Sequence, residues 1–527
     1  MQRLAVLIFL ALISGCAAGP NYHKPDLPAG QVWVEAGGQE PSDALSDTPW
    51  WLILGDDRLN ALMDKALAGN LNVQVALARI KEAQAGQGGA VAQLLPNSSG
   101  QLALDRANPS TGYHFLDQNQ LQADLNITWE IDLLGGNRRE LEARTAEKDA
   151  AYLNRDAVLL GMTVEVARAY VQLRNAVAQI KVIQTNIATQ SDMLHLTTLR
   201  KQFGLSSALD VAQAAGQVSA TQAELHPLLT LRAQARHRLE VLLGGLPGSL
   251  PELDAIDTAM EPPQAKLVLA SPGSVLVRRP DVALAERQLA ATVARQGVSR
   301  AALLPRFSLA AMLGTLSANP DNELFMSGQA FSVGGSVLQP LIDFGRIKAQ
   351  IRASDARAEA QLANLKQCAL TALSEVETAL AMYFNSENRR KDLIDTEAKA
   401  EETLRLSRKL FLDGLGPFLN VLDAQRGLLR AQLARTDADA TVVRAIVDLQ
   451  SAMGGSTFVE KPLPDKNDPP LIDISAPGKL HSALGGLPFA GKAPASPLVW
   501  FPQREYAGVR DLDATALTAI TGGNAGA

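Results

Sequence analysis

Residues 120–136 read QLQADLNITWEIDLLGG, and no proline follows them until well past Phe203. From Leu121 to Asp132 the odd positions are apolar (Leu121, Ala123, Leu125, Ile127, Trp129, Ile131) and the even ones polar (Gln122, Asp124, Asn126, Thr128, Glu130, Asp132). That alternation predicts a strand over about 120–132 with one greasy and one wet face. After Gly135-Gly136 the apolar spacing changes to threes and fours through Ala143, Ala146, Ala150, Leu153, Ala157, Leu160, Val164, Ala167 and Val171. This is a coiled-coil seam, and it predicts one helix over about 137–203, about 100 Å long at 1.5 Å per residue.

The plan recurs roughly 210 residues later, a spacing too long for a solenoid repeat and suited to a duplicated half. Phe331, Val333 and Val337 alternate with small or polar residues in a second strand expected over about 329–342. After Gly345 a seam resumes at Ala349, Ala353, Ala356, Ala360 and Ala363, predicting a second long helix over about 346–411. Leu-Leu-Pro occurs at 94–96 and again at 303–305, each time closing an Ala-rich helix and opening a weaker alternation. Those alternations add strands at about 98–105 and 306–313. Returning helices follow Phe203-Gly204-Leu205-Ser206-Ser207 and Gly414-Leu415-Gly416-Pro417, so each half also carries a helical hairpin.

The bulk properties fit this plan. The chain has 527 residues, is 47% hydrophobic and 20% charged, and carries a formal net charge of −6, so it is long enough for several domains and has no basic bias toward nucleic acid. Six scattered histidines, without His-Glu-x-x-His or Cys-x-x-Cys, encode no metal site by spacing. Gly486 to Lys492 imitates a phosphate loop, but Ala493 stands where Ser or Thr is required and no strand or helix frames it. Neither an enzyme nor a cofactor is expected.

Residues 1–15 form a secretory signal, with Arg3 before an apolar run too short to span a bilayer. Leu12-Ile13-Ser14-Gly15-Cys16 resembles a bacterial lipobox, which implies that Cys16 carries diacylglycerol and fatty acyl groups, and Ala17 after it favours outer-membrane sorting. With Cys16 assigned to lipid, Cys368 is left without a disulfide partner. Residues 16–48 read as a Pro- and Gly-rich strap, 49–245 and 281–455 as the two repeats, 246–280 as a linker, and 456–527 as a Pro/Gly/Ala-rich tail expected to be largely disordered. In that tail only Leu498-Val499-Trp500-Phe501 suggests a local docking spot.

Four strands with a lipid-compatible face cannot close a barrel, because an open edge is not tolerated in a bilayer and transmembrane barrels start at about eight strands. If these strands span a membrane, several copies must pool them. The competing reading is a structural periplasmic coiled-coil lipoprotein with soluble sheets.

The residues also resemble a family. Trp50-Trp51 with Asp56 and Leu59, Trp129-Glu130-Ile131-Asp132-Leu133 with Asn137-Arg138-Arg139, Arg279-Pro280-Asp281-Val282 with Ala285-Glu286, Pro340 to Arg346, and Gly414 through Leu422-Asp423-Ala424-Gln425-Arg426 are similar to TolC-type outer-membrane efflux proteins of the lipid-anchored NodT/OprM branch. The resemblance implies a mainly α fold with membrane β: a homotrimer in which four strands per chain make a 12-stranded β-barrel continued by a long periplasmic α-helical barrel. It implies a periplasmic membrane-fusion adaptor and an inner-membrane RND-type pump as partners. The implied function is a passive exit duct for small molecules, with a type I secretion-type duct for polypeptides as the alternative.

A periplasmic gate is implied at the hairpin tips. There Leu419 stands as an apolar ring, Asp423 as a carboxylate ring, and Asn420 where relatives can carry a second acid. In TolC the Asp aligned with Asp210 is linked to a Tyr and an Arg of the neighbouring hairpin. Phe411 and Gly416 occupy those positions here, so closure is expected to rest on packing around Phe411 and Leu419 rather than on a salt link. Arg138, Arg139 and Arg346, after the strand ends, read equally as interfacial anchors or as functional residues.

Overall fold

The computed structural model describes residues 17–36, 48–107, 110–111, 114–115, 118–257, 260–263, 268–318 and 329–455. Cys16, the signal and the tail motifs lie outside them.

Each half of the chain builds the same series. The first comprises α1 (Asp57–Gly69), α2 (Leu71–Ala92), β1 (Asn97–Ala107), β2 (Gln118–Ile131), α3 (Gly136–Gln202) and α4 (Ala208–Leu242). The second comprises α5 (Pro272–Arg278), α6 (Pro280–Ala301), β3 (Arg306–Ala318), β4 (Gln329–Leu338), α7 (Arg346–Leu412) and α8 (Phe418–Ala452). Corresponding helices match in length: 22 residues for α2 and α6, 67 for α3 and α7, and 35 for α4 and α8.

The strands form one antiparallel sheet in the order β1-β2-β3-β4, with Leu125 facing Gly100 and Leu313, and Leu313 facing Phe331. Two expected boundaries are corrected. β3 continues to Ala318 instead of stopping near residue 313, because Gly314 does not break it: the Asp124 carboxylate lies where a Cβ at Gly314 would sit. β4 ends at Leu338 rather than 342, since Pro340 has no N–H to continue a ladder.

Aspartates join the sheet to the long helices. Asp132 accepts from the Arg138 backbone N–H (2.8 Å), and Asp343 accepts from those of Gly345 (3.0 Å) and Ile347 (2.8 Å), satisfying first-turn donors of α3 and α7. At the opposite ends, Gly204 (φ 73°) and Gly414 (φ 74°) supply the left-handed residue that turns each hairpin.

The main core surrounds Trp50 and Trp51, which meet edge to face at 6.0 Å and pack with Leu59, Met63, Tyr170, Leu239 and Ile446. The segment 246–280, read as the linker between the repeats, is itself packed. Leu253, Ile256, Met260, Leu269, Ala270 and Val275 are buried in it, so it is part of the packed structure.

The strap is docked along residues 17–36. Its Ala18 N–H donates to Leu134 O (3.0 Å), and Arg139 holds it through Ala18 O (3.1 Å) and Asn21 Oδ1 (2.6 Å). Arg139 is buried and is therefore no interfacial anchor. Farther on, the Tyr22 hydroxyl donates to Glu286 (3.0 Å), Trp33 Nε1 donates to Ala270 O (2.7 Å), and Glu377 accepts from the N–H groups of Val34 and Glu35 (2.8 and 3.0 Å).

Burial alone would raise the Glu286 carboxyl, but hydrogen bonds from Arg287 and Tyr22 and the charges of Arg287 and Lys24 hold it below the usual range. A depressed carboxyl contributes stability above its unfolded pKa of about 4.3 and loses it as pH falls through the lower folded value. Hydrogen-exchange protection of the Ala18 N–H, bonded to Leu134 O where the strap docks, is expected at pH 7 and weakens as pH falls through the lowered Glu286 value, with Glu286→Ala weakening it at both. Protection unchanged at low pH contradicts this role for Glu286.

Candidate functional site

Two surfaces carry the functional geometry, the sheet and the hairpin tips. On one sheet face Leu102, Leu125, Ile127, Leu309, Leu313, Phe331, Val333 and Val337 are exposed, Phe331 at 82%. Such a continuous apolar surface is far larger than a soluble monomer leaves open, and it demands a partner or a lipid. The other face presents Asn126, the hydrogen-bonded pair Gln122 and Asp124, and Ser308 against Ser336 at 2.7 Å. One edge each of β1 and β4 has no strand partner among the described residues. The expected division of the odd and even positions of β2 between a greasy and a wet face is thus present in the fold.

At the tips the sequence-derived residues fall into two sets. Leu419, Asn420 and Asp423 lie exposed on one side of the first turns of α8, with Leu419 at 49%. Asp423 lies 3.8 Å from Arg426 Nη1, and Arg426 Nε donates to Gln217 Oε1 of α4 (2.7 Å).

Phe411 and Asp210 are placed elsewhere. Phe411 is buried, edge to face with Phe418 at 5.3 Å and packed with Met193, Ala214, Val421 and Leu422. The Asp210 carboxylate accepts from the Ser207 N–H (2.8 Å) while Ser207 Oγ accepts from the Asp210 N–H (3.1 Å), a capping box that starts α4.

Arg200 and Arg426 are functional candidates that the sequence reading passed over. The Arg200 guanidinium, at the end of α3, lies 5.0 Å from the centre of the Phe411 ring and donates to Leu412 O (3.1 Å). The two hairpins of one chain are thereby joined by a cation on an aromatic face and on a helix C-terminus, both favourable placements for positive charge. A basic residue in the last turn of α3, opposite the aromatic that replaces the latch Tyr, was the available signal.

Among the described residues no cluster of His, Cys, Asp or Glu could hold a metal, and no helix is long and apolar enough to cross a membrane.

The family described as outer membrane efflux protein matches residues 62–245 and 272–455, the two halves of the duplication. The chain belongs to this family. Nodulation protein T of Rhizobium leguminosarum bv. viciae is 30% identical to it, with 87% of this chain and 94% of that one covered. The pyoverdine export outer membrane protein OpmQ of Pseudomonas putida is also 30% identical, covering 83% and 95%. Among solved structures, the outer-membrane channel OprN superposes with a TM-score of 0.78 at 30% identity, covering 84% of this chain and 99% of that one. The efflux protein is thus an outer-membrane channel, with helices extending into the periplasm, and belongs to a family of non-enzymatic transport ducts.

Proposed function

We propose that three copies of this chain form a passive exit duct for small molecules, gated at the tips of the helical hairpins. One observation carries the reading: a four-stranded sheet with a bare apolar face and two unpaired edges, joined directly to two helices of 67 residues. Three copies supply twelve strands, enough to close every edge in a bilayer. The apolar face then meets lipid and the face with Asn126 and Asp124 lines the water path.

Nothing in the described residues resembles an energy-coupling site, so a periplasmic adaptor and a proton-driven inner-membrane pump supply both the work and the choice of cargo. Relatives named for pyoverdine export, antibiotic efflux and toluene efflux favour small molecules over polypeptides. Acyl groups on Cys16 tether the assembly, each buried CH₂ contributing about 0.8 kcal/mol.

At the tip, Leu419 forms an apolar ring that excludes water, and Asp423 a carboxylate ring that favours cations, with Asn420 between them uncharged. Because Leu419 is half-exposed within its own chain, Leu419→Ala is expected to cost less than about 1 kcal/mol of stability while raising the resting conductance in planar bilayers severalfold. A variant as tight as the wild type removes Leu419 from the gate. A detergent-extracted, heat-resistant trimer supports the assembly; a monomer released from membranes without detergent refutes it.

A further inference from the structure

The apolar packing between the two hairpins is interrupted. The tip cluster takes Met193 from α3, Ala214 from α4, and Phe418, Val421 and Leu422 from α8, whereas the main core descends α3 only to Val177 and α8 only to Ala440. Between them lies a cavity of about 400 Å³, lined by Asn175, Lys181, Gln432, Arg435 and Asp439 among others. Toward the tip from that cavity stands a layer of glutamines. Gln190 of α3, Gln217 of α4 and Gln425 of α8 are only 3%, 7% and 4% exposed.

Gln190 lies in the seam that α3 turns toward α8. Asn186, Gln190, Met193 and Thr197 follow at intervals of four, three and four, the coiled-coil spacing. Asn186 Nδ2 donates to Gln432 Oε1 of α8 (2.8 Å), and Met193 packs in one cluster with Val421 and Leu422 of the same helix. Gln190, one turn from each, therefore faces α8 as well. Its neighbour in the layer is satisfied: Gln217 accepts from Arg426 Nε (2.7 Å) and donates to Thr221 Oγ1 (3.2 Å). Gln190 is not, since neither its Nε2 nor its Oε1 has a hydrogen-bond partner among the described residues.

The duplication shows that a seam of this kind does not require the amide. The two 67-residue helices α3 and α7 start 210 residues apart, at Gly136 and Arg346, so Ala400 of α7 stands where α3 has Gln190. By the same offset, α8 carries Gly427 where α4 has Gln217.

We infer that Gln190 sets how readily the gate opens, because its unpaired amide opposes the joined state of the hairpins and favours the parted one. This rests on the tip gate proposed above and names a residue that poises it. A buried amide without partners regains hydrogen bonds from water once the helices part, whereas an apolar side chain in the same place loses by that exposure. Leucine at this position reverses the preference and favours the joined state by about tenfold per chain. The cavity separates this layer from the main core, so parting at the tips leaves the core around Trp50 and Trp51 packed. A partner that holds the tips apart then has a smaller difference between the two states to overcome.

The test uses the full-length lipoprotein with Cys368→Ser and Ala214→Cys, which puts a thiol inside the tip cluster, where Ala214 is buried. The rate of maleimide labelling in detergent reads how often the hairpins part. Gln190→Leu is expected to slow labelling about tenfold, and Gln190→Met, which keeps the length of the side chain without its amide, to slow it severalfold. Gln190→Glu is expected to speed it, and resting conductance in planar bilayers to follow the same order. A role confined to filling space predicts the opposite for leucine and methionine, since any misfit loosens the seam. Labelling unchanged or faster in Gln190→Met overturns the inference, and this variant decides alone where Gln190→Leu does not assemble. Slowed labelling with unchanged conductance upholds the poise of the hairpins and overturns instead the placement of the gate at their tips.

Discussion

Arg200→Ala is expected to leave the assembled channel intact while opening it at rest. In each chain the guanidinium both covers the Phe411 ring and caps the α7 carbonyl of Leu412, so its removal loses one cation–π contact and one charged hydrogen bond between hairpins. Such contacts contribute about 0.5–2 and about 1.5–3 kcal/mol when well formed, and partial exposure brings the joint loss to about 2 kcal/mol per chain. At 1.4 kcal/mol per tenfold, this shifts the balance between joined and parted hairpins roughly thirtyfold in each chain. The expected reading is a large rise in resting conductance in planar bilayers, with barrel and upper helices unchanged in melting. Arg200→Lys keeps the charge at the helix end but loses the planar stack, and falls between wild type and alanine. Wild-type conductance in Arg200→Ala would show that the tip is held by the apolar cluster of Phe411, Phe418, Val421 and Leu422 without help from the cation.

The reach of the sequence follows from the range of the forces involved. The strands and helical hairpins were legible because each repeats a period, two or three-and-a-half, over many residues, and the switch at Gly135-Gly136 falls where the chain turns. The alternation in β3 lapses after Leu313, and the strand's continuation past Gly314, where Asp124 of the neighbouring strand fills the space of a Cβ, is seen only when both strands are in place. The stretch 246–280 contributes its buried residues singly, with no period to announce them, so Leu253 and Met260 were indistinguishable from residues of a loop. The strap's contacts join Trp33 to Ala270 and Val34 to Glu377 through hydrogen bonds between a side chain and a distant backbone group, which leave no local signature. At the tips, alignment located Leu419, Asn420, Asp423, Phe411 and Asp210, but not their directions. The capping role of Asp210 was written locally in Ser207-x-x-Asp210, whereas Arg200 acts across two hairpins, so its position in the last turn of α3 was legible but its contacts with Phe411 and Leu412 were not.

Asp56→Ala is expected to have the largest effect on stability, from a residue far from both gate and membrane. Its carboxylate bears two loads. Oδ1 accepts from the N–H groups of Arg58 and Leu59 at the start of α1 (2.9 and 3.2 Å), a cap whose loss costs about 1 kcal/mol. Oδ2 accepts from the Tyr170 hydroxyl (3.0 Å) and from Arg174 Nη1 (2.8 Å), in the middle of α3, where the Arg174 side chain is only 9% exposed. Burial pushes the Tyr170 hydroxyl up to about 12, so it stays protonated and remains a donor across the physiological range. Removing the carboxylate breaks a buried ion pair, a change that costs up to about 3–5 kcal/mol, while the Arg174 guanidinium keeps its hydrogen bond to the Tyr170 hydroxyl (2.6 Å). Asp56→Asn restores the cap and the tyrosine's acceptor but no charge, and should recover only the smaller part. Thermal melts in detergent should therefore rank wild type above Asp56→Asn above Asp56→Ala, with the Trp50–Trp51 core loosening first because α1 packs directly on it. Equal melts for Asp56→Ala and wild type would mean that Arg174 finds another acceptor along α3, and that Asp56 does no more than start a helix.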